Sequence, residues 1–222
     1  MSSLSDAITA SLEKHEIPVS DEGAQRVICW AEEAQRHGRR TNLIGMFEPT
    51  RIAEELVADS LQVLHLLPET PTSLIDIGAG AGVPGLILAG ATGAHARLVE
   101  PRAKRTMFLK HAARAMGLSS STRVFEARLE ELPVDALDLE GSRLWVSRAV
   151  FAPELWLALA AEHGRQGDLV ALWCNEHVAR SSLKVPAALE DLGERRYSIR
   201  GPGDRTVFLF THVGSTFAEV SA

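Results

Sequence analysis

The spacing of hydrophobic positions along the chain changes near residue 70. Before that point, residues 3–15, 20–37 and 49–67 repeat apolar side chains at helical intervals, and Ser20 is a suitable N-cap for the second helix. From Ser73 onward, short apolar runs alternate with helical stretches, which is typical of βα units and a parallel sheet. We therefore expect a helical extension over residues 1–70, an α/β core over residues 71–213 and a flexible tail over residues 214–222.

The alternation in the core also predicts how the sheet ends. Strands are expected near residues 73–77, 96–100, 122–126, 144–148, 168–173, 194–200 and 205–212, and helices near 83–91, 102–116, 152–162 and 181–191. The last two strands are joined by Gly201-Pro202-Gly203-Asp204, which is too short for a crossover helix, so they must pair as an antiparallel hairpin. The predicted fold is a Rossmann-like, seven-stranded, mostly parallel sheet with a terminal antiparallel hairpin, as in class I methyltransferases.

A glycine-rich turn follows the first predicted strand and precedes a predicted helix, in the stretch Ser73 to Gly85. A turn without Cβ atoms lets a ligand lie against the backbone, and the helix start is expected to present free N–H groups. The spacing is ambiguous, because Gly80, Gly82 and Gly85 fit the dinucleotide pattern while Gly78, Gly80 and Gly82 fit the tighter methyltransferase pattern.

Two features near this turn favour the methyltransferase pattern, namely Asp76 before the turn and Pro84 near the start of the helix, where a missing N–H is harmless. Asp76 lies two residues before Gly78, and an acidic strand end suits the cationic S-adenosylmethionine better than it suits a pyrophosphate. Glu100 ends the second predicted strand, where nucleotide-binding α/β folds hold ribose hydroxyls. We therefore expect the cofactor S-adenosylmethionine to contact Asp76, Gly78, Gly80, Gly82 and Glu100.

Charge and cysteine usage limit the possible partners. The net charge of −6 argues against non-specific coating of nucleic acid. Local basic clusters, at Arg39 and Arg40 and along the helix from Arg102 to Arg114, are either RNA contacts or ordinary solvated faces. Cys29 and Cys174 are isolated and lack metal or disulfide spacing, so we assign no metal. No apolar run approaches the ~18 residues of a membrane span, and no signal peptide is recognised, so we expect a cytoplasmic protein without a membrane partner.

At this point the chain resembles a known family, the bacterial small-subunit ribosomal RNA guanine-N7 methyltransferases, also called the glucose-inhibited division protein B family. The resemblance is carried by blocks distributed over most of the chain: Thr41-Asn42-Leu43, Asp59-Ser60, the turn from Ile75 to Leu86, Lys104-Arg105 with Phe108-Leu109, Arg128 to Glu131, Ser147-Arg148-Ala149 and Asp204-Arg205.

The resemblance implies roles for individual residues. Gly78 and Val83 would line the S-adenosylmethionine pocket, Glu100 would take the ribose, and Leu129 and Glu130 would border the adenine. Arg148 would face the reacting centre as the catalytic residue. The RNA would be bound by the cations Arg39, Arg40, Lys104, Arg105 and Arg205. The partner would be small-subunit ribosomal RNA or the assembling subunit, and the enzyme is expected to be a monomer.

The chain also departs from the family pattern, and these departures leave alternatives open. Glu55-Leu56 stand where the family usually has Arg-His, Trp173-Cys174 where it has Lys-Gly, and Thr206 where it has His. Each change removes a potential cation from the RNA side. One alternative is therefore a diverged methyltransferase acting on a small molecule or a protein. The ambiguous glycine spacing leaves another alternative, a dinucleotide-dependent oxidoreductase. Arg148 has an alternative as well, a structural ion pair at a strand end.

Overall fold

The computed structural model describes residues 3–41, 43–133, 135–175, 178–201 and 203–214, except the side chains of residues 39–41 and 175. Its centre is a seven-stranded sheet in the order β3-β2-β1-β4-β5-β7-β6. The neighbouring pairs from β3 to β5 are parallel, and β7 is antiparallel to both β5 and β6. The strands are β1 (Ser73–Ile77), β2 (His95–Val99), β3 (Thr122–Phe125), β4 (Arg143–Val146), β5 (Leu169–Asn175), β6 (Leu189–Ile199) and β7 (Gly203–His212). The predicted fold class and the terminal hairpin are confirmed.

Helices precede the sheet and alternate with its parallel strands. The extension contains α1 (Leu4–Lys14), α2 (Asp21–Thr41) and an irregular helix over residues 49–65. This irregular helix consists of α3 (Pro49–Arg51), a π-helical segment (Ile52–Ala58), α4 (Asp59–Leu61) and a 3₁₀ turn (Gln62–His65). The core helices are α5 (Gly85–Thr92), α6 (Ala103–Ala115) and α7 (Pro153–His163). None of the helices in the described part of the chain is long and apolar enough to cross a membrane.

The extension shares one apolar core with the sheet. Ile8, Val27 and Ile52 of the extension belong to the same buried cluster as Leu74 of β1 and Leu98 of β2. The Trp30 indole N–H donates to the Ala81 carbonyl over 2.9 Å, which connects α2 to the glycine turn. Because α2 touches this turn directly, the extension helps to hold the turn in place. The division at residue 70 stays a prediction, and residues 215–222 of the predicted tail lie outside the described residues.

The predicted helix over residues 181–191 is wrong. A 3₁₀ turn (Arg180–Ser182) lies there instead, and β6 already begins at Leu189. Pro186 interrupts the helical pattern, because its ring cannot donate a backbone hydrogen bond. The residues from Leu189 onward pair with β7 at the edge of the sheet, and local periodicity does not predict this pairing.

Candidate active site

A cavity of about 650 Å³ lies where the parallel strands end. Its walls are formed by the segments that follow the carboxyl ends of β1 to β4 and by two residues of α7, which is where open α/β sheets bind ligands. The lining residues are Ile77, Gly78, Val99, Pro101, Arg102, Glu126 to Glu131, Val150, Phe151, Leu159 and His163.

The structure brings several predicted cofactor residues to this cavity. Gly78, Leu129 and Glu130 line it directly. Glu100 lies between the lining residues Val99 and Pro101, with only 2% of its surface exposed. Its carboxylate accepts hydrogen bonds from the backbone N–H of Gly80 (2.9 Å) and of Arg102 (3.0 Å). Glu100 therefore ties the glycine turn to the start of α6.

Asp76 is not among the residues that line this cavity. Its side chain is fully buried, and one carboxylate oxygen accepts the Gly85 N–H over 2.9 Å. The next two N–H groups of α5, from Leu86 and Ile87, donate to the Gly82 carbonyl. The expectation of free N–H groups at this helix start is wrong, because the turn and Asp76 already satisfy them. Asp76 shapes the turn from behind rather than lining the cavity, and a direct cofactor contact by Asp76 stays a prediction.

The remaining turn residues have different surroundings. Gly78 has φ +79°, and a Cβ atom there would lie 2.6 Å from the Val150 side chain. Gly82 has φ +89°, and a Cβ atom there would lie 2.7 Å from Leu86 Cβ, on the helix side of the turn. Val83 packs partly buried against the apolar core. Only Gly78 of these three therefore faces the cavity.

Burial raises the pKa of Asp76 to about 7, aided by the negative charge of Glu100 and opposed by the Gly85 hydrogen bond. The folded state therefore retains this proton between pH ~4 and ~7, where the unfolded chain releases it, so this group lowers stability as the pH rises through that range. Asp76→Asn removes this titrating group. The free energy of unfolding of the variant, measured by urea titration, should therefore fall less steeply over this pH range than that of the parent protein, by up to ~1.4 kcal/mol per pH unit. Parallel pH profiles for the two proteins would contradict the prediction.

A second cavity, of about 320 Å³, adjoins the first and shares Phe151 with it. Arg148 lines this cavity together with Trp173 and Arg205. One guanidinium nitrogen of Arg148 donates to the Glu55 carbonyl over 3.0 Å and forms an ion pair with the Asp59 carboxylate. Both the cavity position and the structural ion pair considered for Arg148 are therefore present.

Asp59 is held in place by Tyr197, which the sequence did not single out, and by Trp173, which the sequence offered only as a tryptophan that could face the substrate. The Tyr197 hydroxyl donates to the Asp59 carboxylate over 2.6 Å, and the Trp173 indole N–H donates to the Asp59 carbonyl over 2.9 Å. Burial and the charge of Asp59 raise the pKa of Tyr197, so its hydroxyl stays protonated. Asp59 was visible as part of the Asp-Ser block. Tyr197, the single tyrosine of the chain, carried no positional signal.

The predicted RNA-binding cations are not gathered at one point. Lys104 is exposed on α6, whereas Arg105 is half-buried with a guanidinium nitrogen 3.6 Å from Glu100. Arg205 lines the second cavity and a neighbouring one of about 470 Å³ that also contains Arg196. Arg39 and Arg40 belong to the last turns of α2, and their side chains lie outside the described residues.

The positions that depart from the family pattern are buried or partly buried. Glu55 forms an ion pair with Arg51 over 2.6 Å, and Thr206 is buried. Cys174 is also buried, which raises the pKa of its thiol to about 11 and makes it a poor nucleophile at neutral pH. These positions therefore offer no substitute for the missing cations.

Comparison with known proteins shows which family this chain matches. The profile of the rRNA small subunit methyltransferase G family matches residues 24–180, which is more than half of the chain. A protein of that name from Anaeromyxobacter sp. is 34% identical over 187 residues, covering 84% of this chain and 85% of the relative. Another protein of that name, from Granulibacter bethesdensis, is 39% identical over 113 residues. This match covers 51% of this chain, and the chain spans about half (52%) of the length of that relative.

Solved structures share the fold at low identity. The putative methyltransferase YhhF from Escherichia coli is 17% identical with a TM-score of 0.53, covering 71% of this chain and 86% of that one. MtNAS, in complex with MTA and tNA, is 14% identical with a TM-score of 0.54, covering 83% and 70% respectively. The sequence matches carry the assignment, because the structural ones establish the fold alone. This chain belongs to the rRNA small subunit methyltransferase G family.

Proposed function

We propose that this chain transfers the methyl group of S-adenosylmethionine to N7 of a guanine in small-subunit ribosomal RNA. The observation that carries the proposal is the pair of adjoining cavities at the strand ends, one beside the glycine turn and Glu100, the other lined by Arg148. Membership of a family of rRNA methyltransferases supplies the substrate class.

The chemistry of the larger cavity fits S-adenosylmethionine. A volume of about 650 Å³ is in the range of small-molecule sites. Apolar walls at Ile77, Leu129 and Phe151 suit an adenine ring, and the Glu100 carboxylate suits ribose hydroxyls. A dinucleotide would need the α5 N-terminus for its pyrophosphate, and Asp76 and Gly82 already occupy that position. This observation disfavours the oxidoreductase alternative.

When bound, S-adenosylmethionine supplies a methyl group on a cationic sulfonium. Guanine N7 has an in-plane lone pair and no proton in the neutral base, so the reaction needs no general base. The protein therefore has to position the guanine in line with the methyl group and exclude water. This explains why the described lining residues include no His–carboxylate pair poised for proton transfer.

Arg148 is the side chain best placed to orient the acceptor. It lines the smaller cavity, and Asp59 and the Glu55 carbonyl fix its guanidinium group. A bidentate contact to O6 and N7 would block the nucleophilic lone pair, so we assign Arg148 to O6, to a phosphate or to the cofactor carboxylate. In the proposal the enzyme works as a cytoplasmic monomer without a metal in the reaction, on ribosomal RNA or the assembling subunit.

The direct test is to map N7-methylguanine in ribosomal RNA from cells with and without this gene. We expect one guanine of the small-subunit RNA to lose the mark, and the purified protein with labelled S-adenosylmethionine to restore it. Gly78→Asp protein serves as the inactive control. Identical methylation in both cell types, with no second enzyme making the mark, would overturn the RNA assignment and favour the diverged-substrate alternative. Binding of NAD but not of S-adenosylhomocysteine would exclude both methyltransferase proposals.

The exposed basic face of α6 is expected to contribute to RNA affinity. Charge reversal at Lys104 and Lys110 should weaken RNA binding and reduce the slope of log affinity against log salt by ~1 per lost phosphate contact, because fewer counterions are released. Reversal of Arg39 and Arg40 should act in the same direction. Lys184→Glu, an exposed lysine outside both clusters, is the matched control. Equal salt slopes for all variants in filter-binding titrations would assign these cations to a solvated face.

A further inference from the structure

Three potential metal ligands meet where α2 packs on α6. Glu33 and His37 lie one turn apart on α2, and His111 lies on α6. One Glu33 carboxylate oxygen is 2.7 Å from His111 Nε2 and 3.3 Å from His37 Nε2. The ligand atoms of all three residues lie within 4.8 Å of one another. Two imidazole nitrogens and one carboxylate oxygen therefore converge on a single point between the helices.

The surroundings of Glu33 orient its carboxylate toward this point. The Glu33 side chain is only 10% exposed, and its other carboxylate oxygen forms an ion pair with the Arg36 guanidinium over 2.5 Å. Such a contact fixes the direction of a ligating carboxylate, as partners outside the ligand set do at metal sites. The imidazole rings of His37 and His111 lie edge to face with centroids 4.9 Å apart, so their nitrogens approach the carboxylate from different directions.

We propose that Glu33, His37 and His111 bind a divalent transition-metal ion, with Zn²⁺ as the best chemical match. Two histidines and one carboxylate are an established Zn²⁺ ligand set that leaves a fourth position for water. Tetrahedral ligands with bonds of 2.0–2.1 Å lie ~3.3 Å apart. The two separations from Glu33, 2.7 Å to His111 and 3.3 Å to His37, lie within ~0.6 Å of this spacing. Mg²⁺ and Ca²⁺ favour oxygen ligands and do not match the two imidazoles.

Spacing along the chain does not reveal this site, so the sequence alone predicts no metal. Glu33 and His37 alone are an ordinary helical pair, and the third ligand lies 78 residues from Glu33. An ion held here would link α2 of the helical extension to α6 of the core. Its role would be to stabilise this helix contact, so the inference does not depend on the proposed methyl transfer.

The test uses the full chain after treatment with a chelator. Calorimetric titration with Zn²⁺ should show one ion per chain, and ~100-fold excess over Kd should raise Tm by several degrees. Mg²⁺ should do neither. Co²⁺ should give the ligand-field absorption of nitrogen and oxygen coordination. Each of His111→Ala, His37→Ala and Glu33→Gln should weaken Zn²⁺ binding by at least ~10-fold.

His95→Ala, which removes an exposed histidine outside the cluster, is the matched control and should bind Zn²⁺ as the parent protein does. Circular dichroism without metal establishes whether each variant is folded. If an alanine variant does not fold, Glu33→Gln, which preserves the shape of the side chain, still tests the site. Absence of Zn²⁺ binding by the parent protein would overturn the proposal. Equal binding by all variants would also overturn it, because other side chains would then hold the ion. In either case the contact between Glu33 on α2 and His111 on α6 would be only an ion pair between the two helices.

Discussion

Gly78→Asp is expected to abolish binding of S-adenosylmethionine. Gly78 lines the larger cavity with φ +79°, a conformation that costs a side chain ~1–2 kcal/mol. The new Cβ atom would also lie 2.6 Å from the side chain of Val150, which lines the same cavity, so the turn or Val150 must shift and change the shape of the cavity wall. We expect affinity for S-adenosylhomocysteine, measured by calorimetry, to fall by ~1,000-fold or more, which corresponds to ~4 kcal/mol.

Gly117→Asp provides a matched control for this variant. Gly117 follows α6 with φ +74°, and no heavy atom lies within 4 Å of the point that a Cβ atom would occupy there. The backbone strain is therefore the same, while the steric clash and the cavity are absent. If both variants lose cofactor affinity to the same degree, strain in the fold is responsible, and the proposed position of the cofactor beside Gly78 is wrong.

Arg148→Ala is expected to reduce turnover by about 10²–10³-fold, a magnitude typical of losing one well-placed polar group in an active site. Arg148 lines the smaller cavity, while Asp59 and the Glu55 carbonyl hold its guanidinium group. Since we propose that Arg148 orients the acceptor, affinity for S-adenosylhomocysteine should fall far less than kcat. Single-turnover methylation of ribosomal RNA and calorimetry measure the two quantities separately.

A stability effect must be separated from this loss, because removing Arg148 takes away the ion-pair partner of the buried Asp59 carboxylate, to which Tyr197 also donates. Asp59→Asn retains Arg148 while removing the ion pair, and it should keep more activity than Arg148→Ala at equal unfolded fraction. Arg195→Ala is a second control, since Arg195 is a partly buried arginine that donates to Gln62 and lines none of the described cavities. Turnover that follows Tm across all three variants would make Arg148 a structural residue.

Local patterns predicted the architecture well because they depend on neighbours in sequence. The strand, glycine turn and helix from Ser73 to Thr92 follow from apolar alternation and from the positive φ angles that glycine permits. The hairpin of β6 and β7 follows from a connection too short for a helix. The residues of the resemblance blocks identified the family, which the sequence comparisons confirm.

Local periodicity failed where a distant partner decided the outcome. Residues 181–191 have helical spacing, but Pro186 and pairing with β7 make their last part a strand. The N–H groups expected to be free at the start of α5 are instead bonded to the Asp76 carboxylate and the Gly82 carbonyl, contacts that the spacing along the chain does not predict.

The sequence by itself therefore determined the order of the strands along the chain, the methyltransferase-type turn and the family of this protein. Only the tertiary structure decided which side chains meet, because these pairs come from elements far apart in the chain. Arg148 and Glu55 are 93 residues apart, Tyr197 and Asp59 are 138 apart, and His111 and Glu33 are 78 apart. Hydrophobic periodicity specifies which face of each element is buried, whereas the polar contacts made after burial depend on how the elements pack, and that information is not local.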